Sequence, residues 1–288
     1  MNLNGATILI LGGSGLVGRA VGRRLLACAP QRLVLVSLTE RESEAALAAL
    51  APGAGATALA AEHGNIYLPA GLARSDRATL LEDPAHRALL IEDLFDELSE
   101  DILGRSFFFQ LLQRHRPDVV VDCVNTATAF AYQDAFASAR ALRQAAVGGH
   151  ADLALVERHL LSEPMPQLIR HTQVAIEGMR RAGTRAYVKI GTSGTGGMGF
   201  NIPYTHSEER PSRTLMTKSA MAGAQTLLLY LLGRTPEAPA TVEIKPTAAI
   251  GWQAVAHGPV LRGGRPIPLV DCPEPLPLEG AFAAGASG

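Results

Sequence analysis

Short apolar runs alternate with longer amphipathic ones along most of this chain, and each change of period marks a new element. Thr7–Leu11 is an apolar run that stops at a glycine cluster, as a strand buried on both faces does. Residues 16–27 then place Leu16, Val17, Ala20, Val21 and Leu25 near helical spacing, with Arg19, Arg23 and Arg24 between them, which predicts a helix. Further strands are predicted over 33–38, 57–61, 118–123, 186–190 and 241–244. Helices are predicted over Glu40–Leu50, Phe107–His115, 167–182 and 216–233. Residues from about 70 to 105 are charged and helix-like. A long helical region after the fourth strand is broken by Gly148-Gly149 and by Pro164. Gly183 is a helix stop and Pro246 ends the sixth strand. This alternation predicts an α/β fold: a doubly wound parallel sheet of the Rossmann type with helices on both faces.

No internal repeat interrupts that plan, but the composition changes near the end. From Gly258 the chain is rich in Pro and Gly and closes on Ala-Gly-Ala-Ser-Gly. The expected division is a domain over 1–252 and a short C-terminal segment over 253–288, a small lobe, truncated or partly disordered.

The bulk numbers exclude several classes. With 47% hydrophobic and 18% charged residues, the 288-residue chain can build a sizeable core. Its formal net charge of −1, without a long Lys/Arg run, gives no field to attract nucleic acid or an anionic membrane. Cys28, Cys123 and Cys272 are far apart, lack metal-type spacing and read as free thiols, so no metal is expected. No apolar stretch spans a bilayer and no leader pattern opens the chain. The expectation is a cytoplasmic protein with a small-molecule substrate.

Candidate chemistry begins at Gly12-Gly13-Ser14-Gly15-Leu16-Val17-Gly18, between the first strand and the first helix. The first glycine makes the tight turn, Gly15 lets backbone N–H groups approach a pyrophosphate, and Gly18 lets helix and strand pack closely. The helix N-terminus adds partial positive charge there. The strand–turn–helix context is what raises such a glycine series above an ordinary turn.

The Gly-x-x-Gly-x-x-Gly spacing resembles the short-chain dehydrogenase/reductase superfamily in its extended, epimerase/dehydratase-like branch. Other marks stand in the same order. Gly64-Asn65-Ile66 looks like the family's Gly-Asp-Leu, with Asn65 able to meet the adenine. Arg116-Pro117-Asp118-Val119-Val120-Val121-Asp122 looks like the fourth strand, Tyr187–Ser193 like the fifth, and Lys245-Pro246 like the Arg-Pro after the sixth. The resemblance covers about residues 6–252. It implies a nicotinamide cofactor and an oxidoreductase, epimerase or dehydratase working by hydride transfer. Where an NAD-preferring second strand ends in Asp or Glu, this chain has Ser37, followed by Thr39 and Arg41, so NADP is expected over NAD. Asn125, Thr126 and Ala127, leaving the fourth strand, are candidates for the nicotinamide ribose, or simple turn formers.

In the resembling family a Ser or Thr, a Tyr, and a Lys four residues after that Tyr make the active site. Ser193 (beside Thr192) and Lys218 take the first and last roles, and Lys218 also contacts the cofactor ribose. Thr214, not Tyr, stands four residues before Lys218, and a threonine hydroxyl is far too weak an acid to replace a phenol. Three readings follow: Tyr204 supplies the acid, His206 or Glu208 does, or the domain binds cofactor without hydride chemistry, as a sensing or scaffolding module. The loop 191–199 is glycine-rich and is expected to face substrate and nicotinamide. Stretches of about 67–100 and 127–165 are longer than the resemblance implies and are expected to wall a substrate pocket or make a subunit contact. The small-residue helix at 216–232 is the expected homodimer contact, or a buried core helix.

Overall fold

A computed structural model describes residues 2–191 and 213–244, together with the short strands 249–251, 261–262 and 265–266. Seven strands form one sheet: β1 (Thr7–Leu11), β2 (Arg32–Ser37), β3 (Ala58–His63), β4 (Val119–Asp122), β5 (Ala186–Ile190), β6 (Ala240–Ile244) and β7 (Ala249–Gly251). Their spatial order is β3-β2-β1-β4-β5-β6-β7. Every pairing is parallel except that of β6 with β7. This is the doubly wound Rossmann order, with one antiparallel edge strand that the hydrophobic pattern did not announce.

The strands alternate their faces, and each face meets its own helices. Ile8, Ile10, Leu33, Leu35, Val119 and Val121 pack under α1 (Leu16–Leu26) and α2 (Glu40–Leu50). Leu9, Leu11, Val34, Val36, Val120 and Tyr187 pack under α6 (Phe107–His115), α10 (Pro164–Ala182) and α11 (Arg213–Arg234). Phe108 of α6 is fully buried; such a side chain contributes roughly 1.5–3 kcal/mol by leaving water. Pro164 does not break a helix: it stands at the first position of α10, where a missing N–H costs nothing. Gly183 ends that helix at φ +75°, as expected.

The first long stretch folds as α3 (Arg77–Glu82), α4 (Pro84–Phe95) and α5 (Glu100–Arg105). The second folds as α7 (Thr126–Ala131), α8 (Ala135–Val147) and α9 (Leu153–Leu160). The two stretches pack on each other through a buried Arg87–Glu157 ion pair at 2.7 Å. Arg87 also donates to the carbonyls of Leu81 and Glu82 at the end of α3. Contacts within the chain group 1–254 as one compact unit and 255–288 as another; within the latter, β8 (Leu261–Arg262) pairs antiparallel with β9 (Arg265–Pro266).

Candidate functional site

The strand order reverses between β1 and β4, and that is where an open α/β sheet offers a crevice. Gly12 sits there at φ +73°, and a Cβ on it would lie 3.2 Å from the carbonyl carbon of Cys123 at the end of β4. The turn is tied down from behind: Gly13 N–H donates to Val36 O at 2.9 Å, and Gly15 N–H to Gly12 O at 3.1 Å. Gly18 is the tightest position, since a Cβ there would fall 2.2 Å from Gly12 O. Leu16 and Val17 turn their side chains to solvent, so only backbone faces the crevice.

Helix α1 starts at this turn with no side-chain cap and no acidic residue in its first turn. Helices α2 to α9 are each capped by a Thr, Asp, Ser or Asn side chain. The first turn of α10 carries Pro164 and Pro166, which have no N–H to offer. Among the described N-termini, α1 therefore presents unclaimed amides and the positive end of its dipole, worth up to about 2 kcal/mol to an anion.

A cleft of about 270 Å³ opens from this turn. Of the residues expected to hold cofactor, it gathers Gly12, Ser14, Gly15, Ser37, Asn65 and Ile66. Ser37 is buried at the end of β2, and its hydroxyl has no partner. The Asn65 side-chain oxygen accepts from Tyr67 N–H at 3.0 Å, closing a turn of its own. Thr39 and Arg41 lie outside the lining. Thr39 caps α2 in a reciprocal box with Glu42, a residue that does line the cleft. An acidic residue in that lining was not foreseen; its sequence signal is the Thr-x-x-Glu spacing of a capping box.

The β4–α7 loop forms the floor through Cys123 and Val124, whereas Asn125, Thr126 and Ala127 are turned to other tasks. Asn125 caps α7 by accepting from Thr128 N–H at 3.1 Å, and Ala127 is buried in a small apolar cluster. Thr126 belongs to a buried polar network that sequence reasoning missed. Lys189 Nζ donates to Asp122 Oδ2 at 2.8 Å, to Val124 O at 2.7 Å and to Thr126 Oγ1 at 3.1 Å. Tyr187 donates to the same Asp122 oxygen at 2.8 Å, and Tyr67 to Thr126 Oγ1 at 2.9 Å. Burial would raise the Asp122 carboxyl, but Lys189 overrides it and holds the group below its ordinary range. The signal was a charge inside each of two adjoining apolar strands, and Asp122 and Lys189 are register partners.

Both phenols of that network are pushed upward, first by burial and then by Asp122. That is the wrong direction for proton transfer near neutral pH. Lys218 is buried on α11, and burial lowers its pKa. Thr214, one turn earlier, lines a different cavity of about 360 Å³ between α8, the start of α10 and α11. Ser193, Tyr204, His206, Glu208 and Lys245-Pro246 lie outside the described residues, as does Cys272. Among the described residues no cluster of metal ligands occurs, and no helix is long and apolar enough to cross a membrane.

No family model matches this chain, and no curated protein matches it in sequence. Some solved structures are similar to it. Pen from Bacillus thuringiensis is 13% identical with a TM-score of 0.42, over 85% of this chain and 51% of that one. A short-chain type dehydrogenase/reductase from Mycobacterium ulcerans is 14% identical with a TM-score of 0.40, over 81% and 63%. The Bordetella bronchiseptica enzyme WbmG, in complex with NAD and UDP, is 13% identical with a TM-score of 0.39, over 83% and 52%. The chain thus spans about half to two thirds of their lengths. The fold assignment rests on the strand order of the chain itself.

Proposed function

We propose that this protein is an NADP(H)-dependent oxidoreductase of the extended short-chain dehydrogenase/reductase type, or an epimerase or dehydratase that uses its cofactor for transient redox, acting on a small organic substrate. The observation that carries the reading is the uncapped start of α1 facing the cleft at the strand-order reversal, behind a turn whose glycines leave no room for side chains. The residues present fit a dinucleotide. The amides of α1 suit a pyrophosphate, Ser37 has a hydroxyl without a partner, and Asn65 lines the same cleft. A bound nicotinamide would supply hydride transfer. The Asp122–Lys189 pair fastens the loop that lines the cleft, and Lys218, Ser193 and Tyr204 are the residues assigned to substrate and proton.

The preference for NADP rests on Ser37 in place of a carboxylate and on Arg41 in the first turn of α2; the Glu42 carboxylate opposes it. Titration with NADPH and NADH in parallel, following nicotinamide fluorescence, tests both parts. Tighter NADPH binding that Arg41→Ala weakens selectively supports the reading. Tighter NADH binding, with NADPH gained by Glu42→Gln, reverses the preference. No binding of either at near-millimolar concentration ends the oxidoreductase reading. Binding with no turnover of any alcohol or carbonyl in a substrate screen turns it into a cofactor-binding module.

A homodimer is part of the same proposal. It is supported by the exposed stripe Met216, Leu227 and Leu231 on α11. Light scattering should show a dimer that Leu227→Lys splits; a monomeric native protein overturns this part.

A further inference from the structure

We propose that the cavity between the first long stretch and α10 is a binding site for a small neutral molecule with an apolar body and one hydroxyl or carbonyl group, received by His171. The wall is mostly aliphatic, through Leu90, Leu94, Ile102, Leu161 and Val174. Its volume is about 80 Å³, roughly half that of an apolar cavity that admits benzene or xenon, so the occupant is limited to about five heavy atoms.

The charged and amide groups of the wall are already spent within the protein. Asp93 is paired with Arg105. Arg170 donates to the Asp96 carbonyl and lies in the fields of the Asp93 and Asp96 carboxylates. Arg77 donates to Gln133 Oε1 at 2.8 Å and to Leu161 O at 2.5 Å. Gln167 exchanges amide hydrogen bonds with Gln133, at 2.7 and 2.9 Å. Ser106 caps α6, and the Tyr67 phenol donates to Thr126. An ion entering this space would lose its water and find no counter-charge that is not already engaged.

His171 is the exception. It is 8% exposed and lines the cavity. Tyr67 meets its ring edge-on at 4.8 Å between centroids, and Phe108 stacks on it at 5.4 Å. Asp122 and Lys189 act on it only through their fields, and among the described residues no hydrogen bond reaches either ring nitrogen. Neither nitrogen is sealed from a water-sized molecule, unlike Nδ1 of His115 and of His159. The cavity is therefore the space in which this ring can find a partner. Burial draws its pKa down to about 4, so near neutral pH the ring is uncharged and offers one donor and one acceptor. A hydroxyl answers either of them and a carbonyl answers the donor, while the aliphatic wall takes the hydrocarbon body.

The proposal does not depend on the cofactor reading. Ile66 and Tyr67 line both the cavity and the cleft, so an occupant would lie on the other side of that shared wall.

Isobutanol is the probe, with isobutyrate and isobutylammonium as charged counterparts and xenon as an apolar one. Binding to the full chain is followed by NMR titration for the native protein, His171→Phe and Leu94→Phe. The expected result is saturable binding of isobutanol and xenon, little or none of either ion, and weaker binding of both neutral probes in Leu94→Phe, which takes up part of the space. His171→Phe should weaken isobutanol about threefold to tenfold, the worth of one neutral hydrogen bond, and leave xenon unchanged. No saturable isobutanol binding at tens of millimolar, which would leave water as the only occupant, overturns the proposal. So does an ion that binds as tightly as isobutanol, or isobutanol binding that neither substitution changes. Loss of xenon together with isobutanol in His171→Phe would assign the effect to shape and overturn the part given to the ring. If His171→Phe does not fold, Leu94→Phe and the contrast between isobutanol and the two ions decide it.

Discussion

Lys189 Nζ lies 2.8 Å from Asp122 Oδ2, and the two side chains are 1% and 0% exposed, so a full ion pair is sealed between β4 and β5. Its remaining bonds go to Val124 and Thr126, so it fastens the loop that floors the cleft. Replacing Lys189 by Met leaves Asp122 buried without a cation and should cost about 3–5 kcal/mol, read as a fall in the urea midpoint. Adding Asp122→Asn should recover part of that loss. Additive costs in the double variant would mean that the two side chains do not act as a pair.

The same region sets an acid limit on stability. Burial draws the His171 imidazole down to about 4, against the field of Asp122 and with that of Lys189. Its folded pKa is below its unfolded value of about 6.5, so the unfolded chain binds more protons between those values. Stability should therefore fall by about 3 kcal/mol as pH drops from about 6.5 to about 4. Asp122, held below its ordinary range, adds a further loss under pH of about 4. His171→Phe, placed between Phe108 and Tyr67, should flatten the first part of the profile only. An unchanged slope in that variant would assign the loss to other groups.

Gly18 has no room for a methyl group, because the atom it would strike is backbone, Gly12 O, and cannot rotate away. Gly18→Ala should push α1 off the turn, lower stability by about 1–3 kcal/mol and weaken dinucleotide binding at least tenfold. Ala at Gly71, where a Cβ meets nothing within 4 Å, is the matched control. Equal NADPH affinity in the two variants would remove the turn from the cofactor site.

Arg87→Ala breaks the buried pair between α4 and α9 and strips a donor from the end of α3. The expected cost is about 3–5 kcal/mol, with hydrogen exchange accelerating in α4 and α9 before the sheet. Uniform acceleration across the sheet would show that the two long stretches are not a separable layer.

Local chemistry was enough to read the glycine turn, β1, α2, α6 and β5, because apolar period, caps and glycines all act within a few residues. Glu40–Leu50 and Phe107–His115 fall where the pattern put them, since a Thr-x-x-Glu box and a Ser cap mark their starts. Pro164 misled because proline both breaks a helix and begins one, and only its neighbours decide which. The sequence offers Thr39 and Arg41 as cofactor contacts; the fold spends Thr39 on a capping box with Glu42 and sets Glu42, not Arg41, in the cleft's lining.

By itself the sequence determined the Rossmann-type alternation and the tight glycine turn between β1 and α1, since both follow from periodicity and backbone room. Tertiary structure alone decided which charges meet. Asp122 and Lys189 are 67 residues apart, Arg87 and Glu157 are 70, and Arg77 reaches Leu161 across 84. Such pairings depend on strand order and on how the two long stretches stack. A buried charge stays ionised only where folding has brought its partner within hydrogen-bond reach, and no local pattern carries that distance.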